Sequence, residues 1–202
     1  MRSAAINIIN NIMVVYFRGQ YKEHGKNKSG MYNYYHELMT ECTILRDEDV
    51  YLIDYIQSHY APDEKIHEIA CGAAQLGHTL SLFDYNITAT ELDNKRYKLA
   101  KGLGKYLGSN CNVLHENSFT QDTGYDLVVT NNAVSSATTF NDSHQYFKDV
   151  LKKGGEIIIN PNLFDGSMNK ELLLDNFKKV GIGYTELEHD YIILEVLHEC
   201  IS

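Results

Sequence analysis

Proline, paired cysteines and long apolar runs are all scarce in this chain of 202 residues. Two prolines and fourteen glycines are too few for a collagen-like or proline-rich protein. The four cysteines are scattered with no CxxC pair, which indicates neither a zinc site nor a disulfide framework. Reduced thiols in a cytoplasmic protein fit this usage best. With 44% hydrophobic and 22% charged residues, the chain has the composition of one globular domain.

Acidic residues outnumber basic residues, which gives a formal net charge of −9. We therefore expect no nucleic-acid partner. The charge is uneven, because residues 1–30 carry a net +4 and the remaining chain carries −13. A short basic arm on an acidic body could meet an anionic ligand, although a solvated segment is the more ordinary interpretation.

The most apolar stretch runs from Ile6 to Phe17 and is interrupted by Asn7, Asn10 and Asn11. No small-residue cleavage site follows it, so it does not fit a signal peptide, and it is too short and too polar to span a bilayer. The spacing predicts a helix with one narrow polar stripe, which packs on its own domain or on a second subunit. We expect no membrane partner, and a homodimer through the N-terminal helices stays open.

The order of elements predicts an α/β protein. Glycine and lysine in residues 18–30 indicate a linker, and helical spacing follows over 31–40 and 48–59. Beyond these, apolar strands alternate with helices, which is typical of a parallel sheet with right-handed crossovers. The last two strands are close in sequence and must be antiparallel neighbours. The predicted strands cover 65–69, 86–91, 111–115, 125–130, 156–160, 183–188 and 191–198, and the helices among them cover 73–83, 94–107, 142–151 and 169–180.

Ligands of open parallel sheets bind at the carboxyl ends of the strands. The first strand continues into ACGAA, whose small residues let a ligand approach the backbone, and the next helix offers its amino end. The second strand ends in Glu91, a carboxylate that can accept both hydroxyl hydrogens of a ribose. The third strand ends near Asn117, and the fourth near Asn131.

Five segments resemble, in order and spacing, the motifs of class I S-adenosylmethionine-dependent methyltransferases. They are IHEIACGAA, ITATELD, HENSF, YDLVVTNNAV and LKKGGEIIIN. The resemblance covers about residues 32–198. It implies a Rossmann-like, doubly wound, mostly parallel seven-stranded sheet with an antiparallel last strand, preceded by N-terminal helices. Residues 1–61 would be helices forming a lid or interface, and 62–202 the cofactor-binding domain.

The resemblance implies S-adenosylmethionine as cofactor, S-adenosylhomocysteine as its product and no metal. On the methionine side, Glu68 would orient the loop and approach the ammonium group. Cys71, Gly72 and Ala73 would flank the methionine portion. Asn131 would carry the loop nearest the sulfonium.

The adenosine side of the cofactor has its own implied contacts. Glu91 would hold the ribose, and Leu92 would lie against the adenine. Asn117 and Ser118 would contact the adenine edge. Tyr35 stands where the family often places an aromatic lid residue.

Two features depart from the family pattern. The alternating glycines are reduced to Gly72, with Ala70 and Ala74 at the other two places. Asn117 replaces the usual aspartate, although its carbonyl still accepts a hydrogen bond. Because alanine is small, we expect cofactor binding to survive.

The sequence predicts methyl transfer to an oxygen or nitrogen of a small molecule, because the chain is acidic and its NNAV segment lacks the Pro-Pro-aromatic motif of amino-group methyltransferases. A hydroxyl acceptor needs a base, and His36 and His144 are the candidates. The eroded glycines leave an inactive methyltransferase-like binding protein as the main alternative. A nicotinamide-dependent dehydrogenase and an aminopropyltransferase also stay open.

Overall fold

The computed structural model describes residues 3–24, 44–117, 119, 124–130, 137–160 and 170–196. The helices within these ranges are α1 (Ala4–His24), α2 (Asp47–His59), α3 (Gln75–Ser81), α4 (Asn94–Leu107), α5 (Ala137–Lys152) and α6 (Lys170–Lys179). The strands are β1 (Lys65–Ile69), β2 (Asn86–Thr90), β3 (Asn112–Leu114), β4 (Leu127–Thr130), β5 (Glu156–Ile159), β6 (Ile182–Glu186) and β7 (Ile192–Val196).

The seven strands form one sheet in the order β3-β2-β1-β4-β5-β7-β6. β1 to β5 pair in parallel, and β7 lies antiparallel between β5 and β6. The predicted fold class, including the antiparallel last strand, is therefore confirmed. The strand order changes direction at β1, which has β2 on one side and β4 on the other, so the crevice at the carboxyl end of β1 is the expected ligand position.

The sheet is covered on both faces, which explains its nearly continuous apolar strands. One core cluster joins the sheet to α1, α2, α3 and α4, with Ile53, Ile66 and Leu103 among its members. A second cluster joins the other face to α5 and α6 through Phe147 and Phe177. These two layers hold the carboxyl ends of the strands at one edge of the sheet.

Helix α1 is longer than predicted, because the linker expected from residue 18 is helical as far as His24. Its inner side packs on this domain through Ile6, Met13 and Phe17, all fully buried. Asn10 from the predicted polar stripe is also buried, and its Oδ1 accepts the N–H groups of residues 44 and 45 at 2.9 Å each. Tertiary packing thus overrides the linker-like composition.

Most other predicted elements are confirmed with small changes at their ends. The helix expected over 73–83 begins at Gln75, because Ala74 has a left-handed backbone. Helix α5 begins at Ala137, five residues before its predicted start. The helix predicted over 31–40 lies outside the described residues. No described helix has the length and apolar character needed to cross a membrane.

Candidate functional site

The loop that follows β1 lies at the expected ligand crevice. Its backbone enters the left-handed region at three alternating positions, with φ of 50° at Ala70, 58° at Gly72 and 54° at Ala74. An L-residue with a side chain adopts this conformation at a cost of roughly 1–2 kcal/mol. The two alanines therefore keep the backbone shape that glycine would take more easily. The small size of alanine alone did not predict this conformation.

Glu91 ties this loop to the end of β2. Its Oε2 accepts the N–H of Gly72 at 2.9 Å, and its Oε1 accepts the N–H of Asp93 at 2.7 Å. The backbone N–H of Cys71 also donates to the carbonyl of Thr90 at 3.0 Å. Each carboxylate oxygen has two lone pairs, so Glu91 keeps acceptor capacity for further hydroxyl groups.

Glu68, the fourth residue of β1, has only 7% of its surface exposed. Its Oε2 accepts the N–H of Gly77 on α3 at 2.9 Å. Burial is the main cause that raises the pKa of Glu68 from 4.5 to about 8; the neighbouring carboxylates of Asp49 and Glu91 add to the rise, and the hydrogen bond from Gly77 opposes it. The carboxyl is therefore mostly protonated at pH 7, and a cation placed beside it would favour the ionised form.

The residues predicted for the adenine side lie at the ends of β2 and β3. Leu92 is 69% exposed, which is unusual for a leucine and leaves its apolar side chain open to a ligand. The ring of His115 stacks on Tyr97 with 5.1 Å between centroids, and its Nε2 lies 2.9 Å from the carbonyl of Leu92. Asn117 is exposed, and its Oδ1 accepts the N–H of Phe119 at 3.1 Å.

The remaining predicted residues are placed less directly. Cys71 is buried, and burial raises the pKa of its thiol, which suits a small packing residue rather than a nucleophile. Ala73 is fully buried in the core cluster beneath the loop. His144 lies on α5 and is partly buried. Four further predicted residues lie outside the described ranges: Tyr35, His36, Ser118 and Asn131.

One acidic residue of the site was missed by the sequence analysis. Asp49, in the first turn of α2, is buried, and burial raises its pKa although it accepts the N–H of Arg46 at 2.9 Å. The Nε atom of Arg46 lies 3.7 Å from the same carboxylate. An acidic first turn is ordinary for a helix, so only the tertiary fold shows that Asp49 is close enough to Glu68 to affect its pKa.

No family model matches this chain, and no curated protein matches it. Solved structures do. Magnesium protoporphyrin IX methyltransferase from Synechocystis PCC 6803, with bound S-adenosylhomocysteine, is similar with a TM-score of 0.56 and 11% identity over 75% of this chain and 82% of that one. A TehB-like S-adenosylmethionine-dependent methyltransferase from Corynebacterium glutamicum is similar with a TM-score of 0.55 and 14% identity, over 73% of this chain and 86% of that one. A methyltransferase from Pyrococcus furiosus is similar with a TM-score of 0.54 and 14% identity, over 72% of this chain and 80% of that one.

The chain has the Rossmann-like fold of class I S-adenosylmethionine-dependent methyltransferases. At 11–14% identity the likeness identifies the fold and leaves the reaction to be argued from the site.

Proposed function

We propose that this protein is an S-adenosylmethionine-dependent methyltransferase that acts on a small molecule. The observation that carries the proposal is the left-handed loop after β1, tied through Gly72 to the carboxylate of Glu91. This arrangement presents small residues and a hydroxyl-binding carboxylate together at the switch point of the sheet. The eroded glycines gave the main reason to suspect an inactive protein, and the loop keeps its backbone shape without them.

The residues at the crevice fit the chemical groups of this cofactor. Glu91 has acceptor capacity left for the two ribose hydroxyls, and the exposed side chain of Leu92 offers an apolar surface to the adenine. Asn117 and, in the predicted scheme, Ser118 would contact the adenine edge. Glu68, Cys71, Gly72 and Ala73 would surround the methionine portion, with Asn131 nearest the sulfonium and Tyr35 over the site.

Charge supports the same assignment. The carboxyl group of Glu68 interacts with those of Asp49 and Glu91. Burial makes both Asp49 and Glu68 costly to ionise. The cofactor carries positive charge on its sulfonium and its ammonium. A cation beside Glu68 would lower the pKa of its carboxyl, so we expect cofactor binding to release a proton.

When bound, S-adenosylmethionine supplies a methyl group that is already activated on a sulfonium. The chain's own contribution is to hold the donor and the acceptor in line, a proximity and orientation effect. An amine acceptor would need only positioning. A hydroxyl acceptor would need a base, for which His36 and His144 are our candidates.

A small molecule is the proposed acceptor class because the chain is acidic overall and its fourth motif lacks the Pro-Pro-aromatic pattern. One similar structure is called a magnesium protoporphyrin IX methyltransferase, and magnesium protoporphyrin IX is a small molecule. Residues 1–61 would supply the lid or interface, and we retain the cytoplasmic location as part of the proposal.

Calorimetric titration with S-adenosylhomocysteine tests the cofactor assignment. We expect binding, and a binding heat at pH 7.5 that differs between phosphate and Tris buffers because a proton is released. In the Glu68→Gln variant, the dependence on buffer should disappear. Binding of NAD⁺ without binding of S-adenosylhomocysteine would instead identify a dehydrogenase.

Incubation with methyl-labelled cofactor and separate pools of metabolites, RNA and protein tests the acceptor class. We expect label in the metabolite pool. Label in RNA or protein would contradict the proposed acceptor while leaving the cofactor assignment intact.

A further inference from the structure

Helix α4 is strongly basic within an acidic protein. It contains five basic residues and no acidic residue over Asn94–Leu107. Lys98, Lys101 and Lys105 follow one another at helical spacing on the side opposite the buried Leu99 and Leu103, and all three are exposed. In the described part of the chain, no salt bridge joins these three lysines to a carboxylate.

Helix α1 packs alongside α4, so the outer sides of the two helices belong to one surface. Gly102 of α4 leaves room for the hydroxyl of Tyr16, which would collide with any side chain there. The ring of Tyr16 also lies against that of Tyr106, with 5.1 Å between centroids. These contacts hold the two helices in fixed register.

The outer side of α1 carries an apolar row. Ile8, Ile12 and Val15 follow at intervals of four and three residues and are 60%, 39% and 58% exposed. Large aliphatic side chains exposed in a row are more informative than single exposed ones. We name the row, together with Lys98, Lys101 and Lys105, the basic–apolar face.

The basic–apolar face is the electrostatic opposite of the rest of the molecule. The face itself carries three lysines and no carboxylate. The two helices that form it, α1 and α4, together contain seven basic residues and one acidic residue, a net +6, in a chain whose net charge is −9. Such a face is complementary to a surface that is both anionic and apolar beneath its charges.

We propose that the basic–apolar face docks on the surface of an anionic lipid bilayer. The lysines would meet headgroup phosphates, and the aliphatic row would enter the boundary between headgroups and acyl chains. This contact needs no spanning helix, but it departs from the expectation that the chain has no membrane partner. The distant acidic residues oppose it weakly, because the Debye length is about 8 Å at physiological salt.

Two other occupants fit the face less well. A nucleic acid would match the lysines and could stack on the exposed Tyr106, but it gives the aliphatic row nothing to bury against. A second copy of this chain would match the aliphatic row. A two-fold contact centred on this face, however, would bring the two sets of lysines towards each other.

Vesicle flotation of the full chain tests the proposal. We compare vesicles of phosphatidylcholine alone with vesicles containing one-third phosphatidylglycerol, and expect binding only to the second. The triple variant K98E/K101E/K105E should bind at least about 10-fold more weakly, since each basic residue near an anionic surface contributes measurably. The double variant I8Q/V15Q should also bind several-fold more weakly.

The matched control is K153E/K178E/K179E, which makes the same change in net charge away from α1 and α4. It should retain binding. Circular dichroism and S-adenosylhomocysteine titration check that each variant is folded, and they keep this test separate from the proposed activity.

Absence of vesicle binding altogether would overturn the proposal, and so would any of three further results. One is equal loss of vesicle binding in both triple variants, which would make net charge the cause. Another is a dimer in sedimentation equilibrium that I8Q/V15Q dissociates, which would assign the row to a second copy. The third is displacement from vesicles by a short RNA at equimolar concentration.

Discussion

Among the described residues, left-handed backbone occurs both in surface turns and in the loop after β1. In the turns it belongs to glycine or, at Asp84, His189 and Asp190, to polar residue types that tolerate it. At the turns after α4, before β5 and before β6, the positive φ belongs to Gly108, Gly154 and Gly181. Nothing lies within 4 Å of the position where a side chain would begin at these three glycines. In the loop after β1, alanine occupies two of the three left-handed positions.

The difference shows that the site loop owes its shape to its surroundings. A glycine turn adopts positive φ with no steric cost, whereas Ala70 and Ala74 must be held there. The holding contacts are visible: Glu91 binds the N–H of Gly72, Glu68 binds the N–H of Gly77, and the carbonyl of Thr90 binds the N–H of Cys71. Two alanines held in this conformation at a candidate ligand site are consistent with a backbone shaped for a ligand.

Removing the main holding contact should give the largest effect. In Glu91→Ala, the N–H groups of Gly72 and Asp93 lose a charged acceptor, and we expect the free energy of unfolding to fall by about 3 kcal/mol. S-Adenosylhomocysteine should bind at least about 100-fold more weakly, because the same carboxylate is assigned to the ribose. Urea denaturation and calorimetry measure the two effects.

Asp93→Ala is the matched control for Glu91→Ala. Its side chain caps α4 by accepting the N–H groups of Lys95 and Arg96 at 2.9 Å, and within the described residues it makes no hydrogen bond with the loop after β1. Loss of a helix cap costs about 1 kcal/mol. If both variants lost equal stability, the claim that Glu91 holds the loop would be wrong.

The second prediction concerns the charge of Glu68. Its folded pKa of about 8 lies above the unfolded value of 4.5, so the folded chain binds the proton more tightly. Stability should therefore fall as the pH rises from 4.5 to 8. Glu68→Gln lacks this dependence. The difference in free energy of unfolding between the variant and wild type should therefore shift in favour of the variant by on the order of 2 kcal/mol from pH 5 to pH 8.

Urea denaturation at pH 5, 6.5 and 8 measures that gain. Glu64→Gln provides a control, because Glu64 is a partly exposed glutamate near the start of β1. A stability difference between Glu68→Gln and wild type that does not change with pH would show that Glu68 is ionised in the folded protein.

The smallest effects separate backbone strain from packing. Gly108→Ala should lower the free energy of unfolding by about 1 kcal/mol, since the surroundings of Gly108 are open and only the backbone would be strained. In Ala70→Gly the free energy of unfolding should rise by about 0.5 kcal/mol, because the change relieves the same strain and Ala70 is exposed. Ala74→Gly should be close to neutral, because the methyl group it removes is fully buried.

Thermal denaturation of these three variants, with a wild-type reference, gives the order of stabilities. A loss of stability in Ala70→Gly would contradict the view that the loop is strained at that residue.

Much of the fold follows from local pattern. Strand β1 and helix α4 have the bounds predicted from apolar spacing, with Asp93 before α4 as a helix cap and Gly108 after it as a helix stop. The antiparallel pairing of β6 and β7 follows from the short connection between them. The end of α1 was not predictable, because Gly19 and Lys22 look like linker residues until the helix is seen packed on α4.

The sequence alone determined the alternation of strands and helices, the small residues after β1 and the acid at position 91, because each of these depends on neighbours a few residues away. Only the tertiary structure decided that Glu91 binds the loop it faces, that Glu68 is mostly protonated and that two alanines are left-handed. Those properties depend on burial and on contacts between residues distant in the chain, which bring carboxylates and backbone N–H groups together only when the sheet assembles.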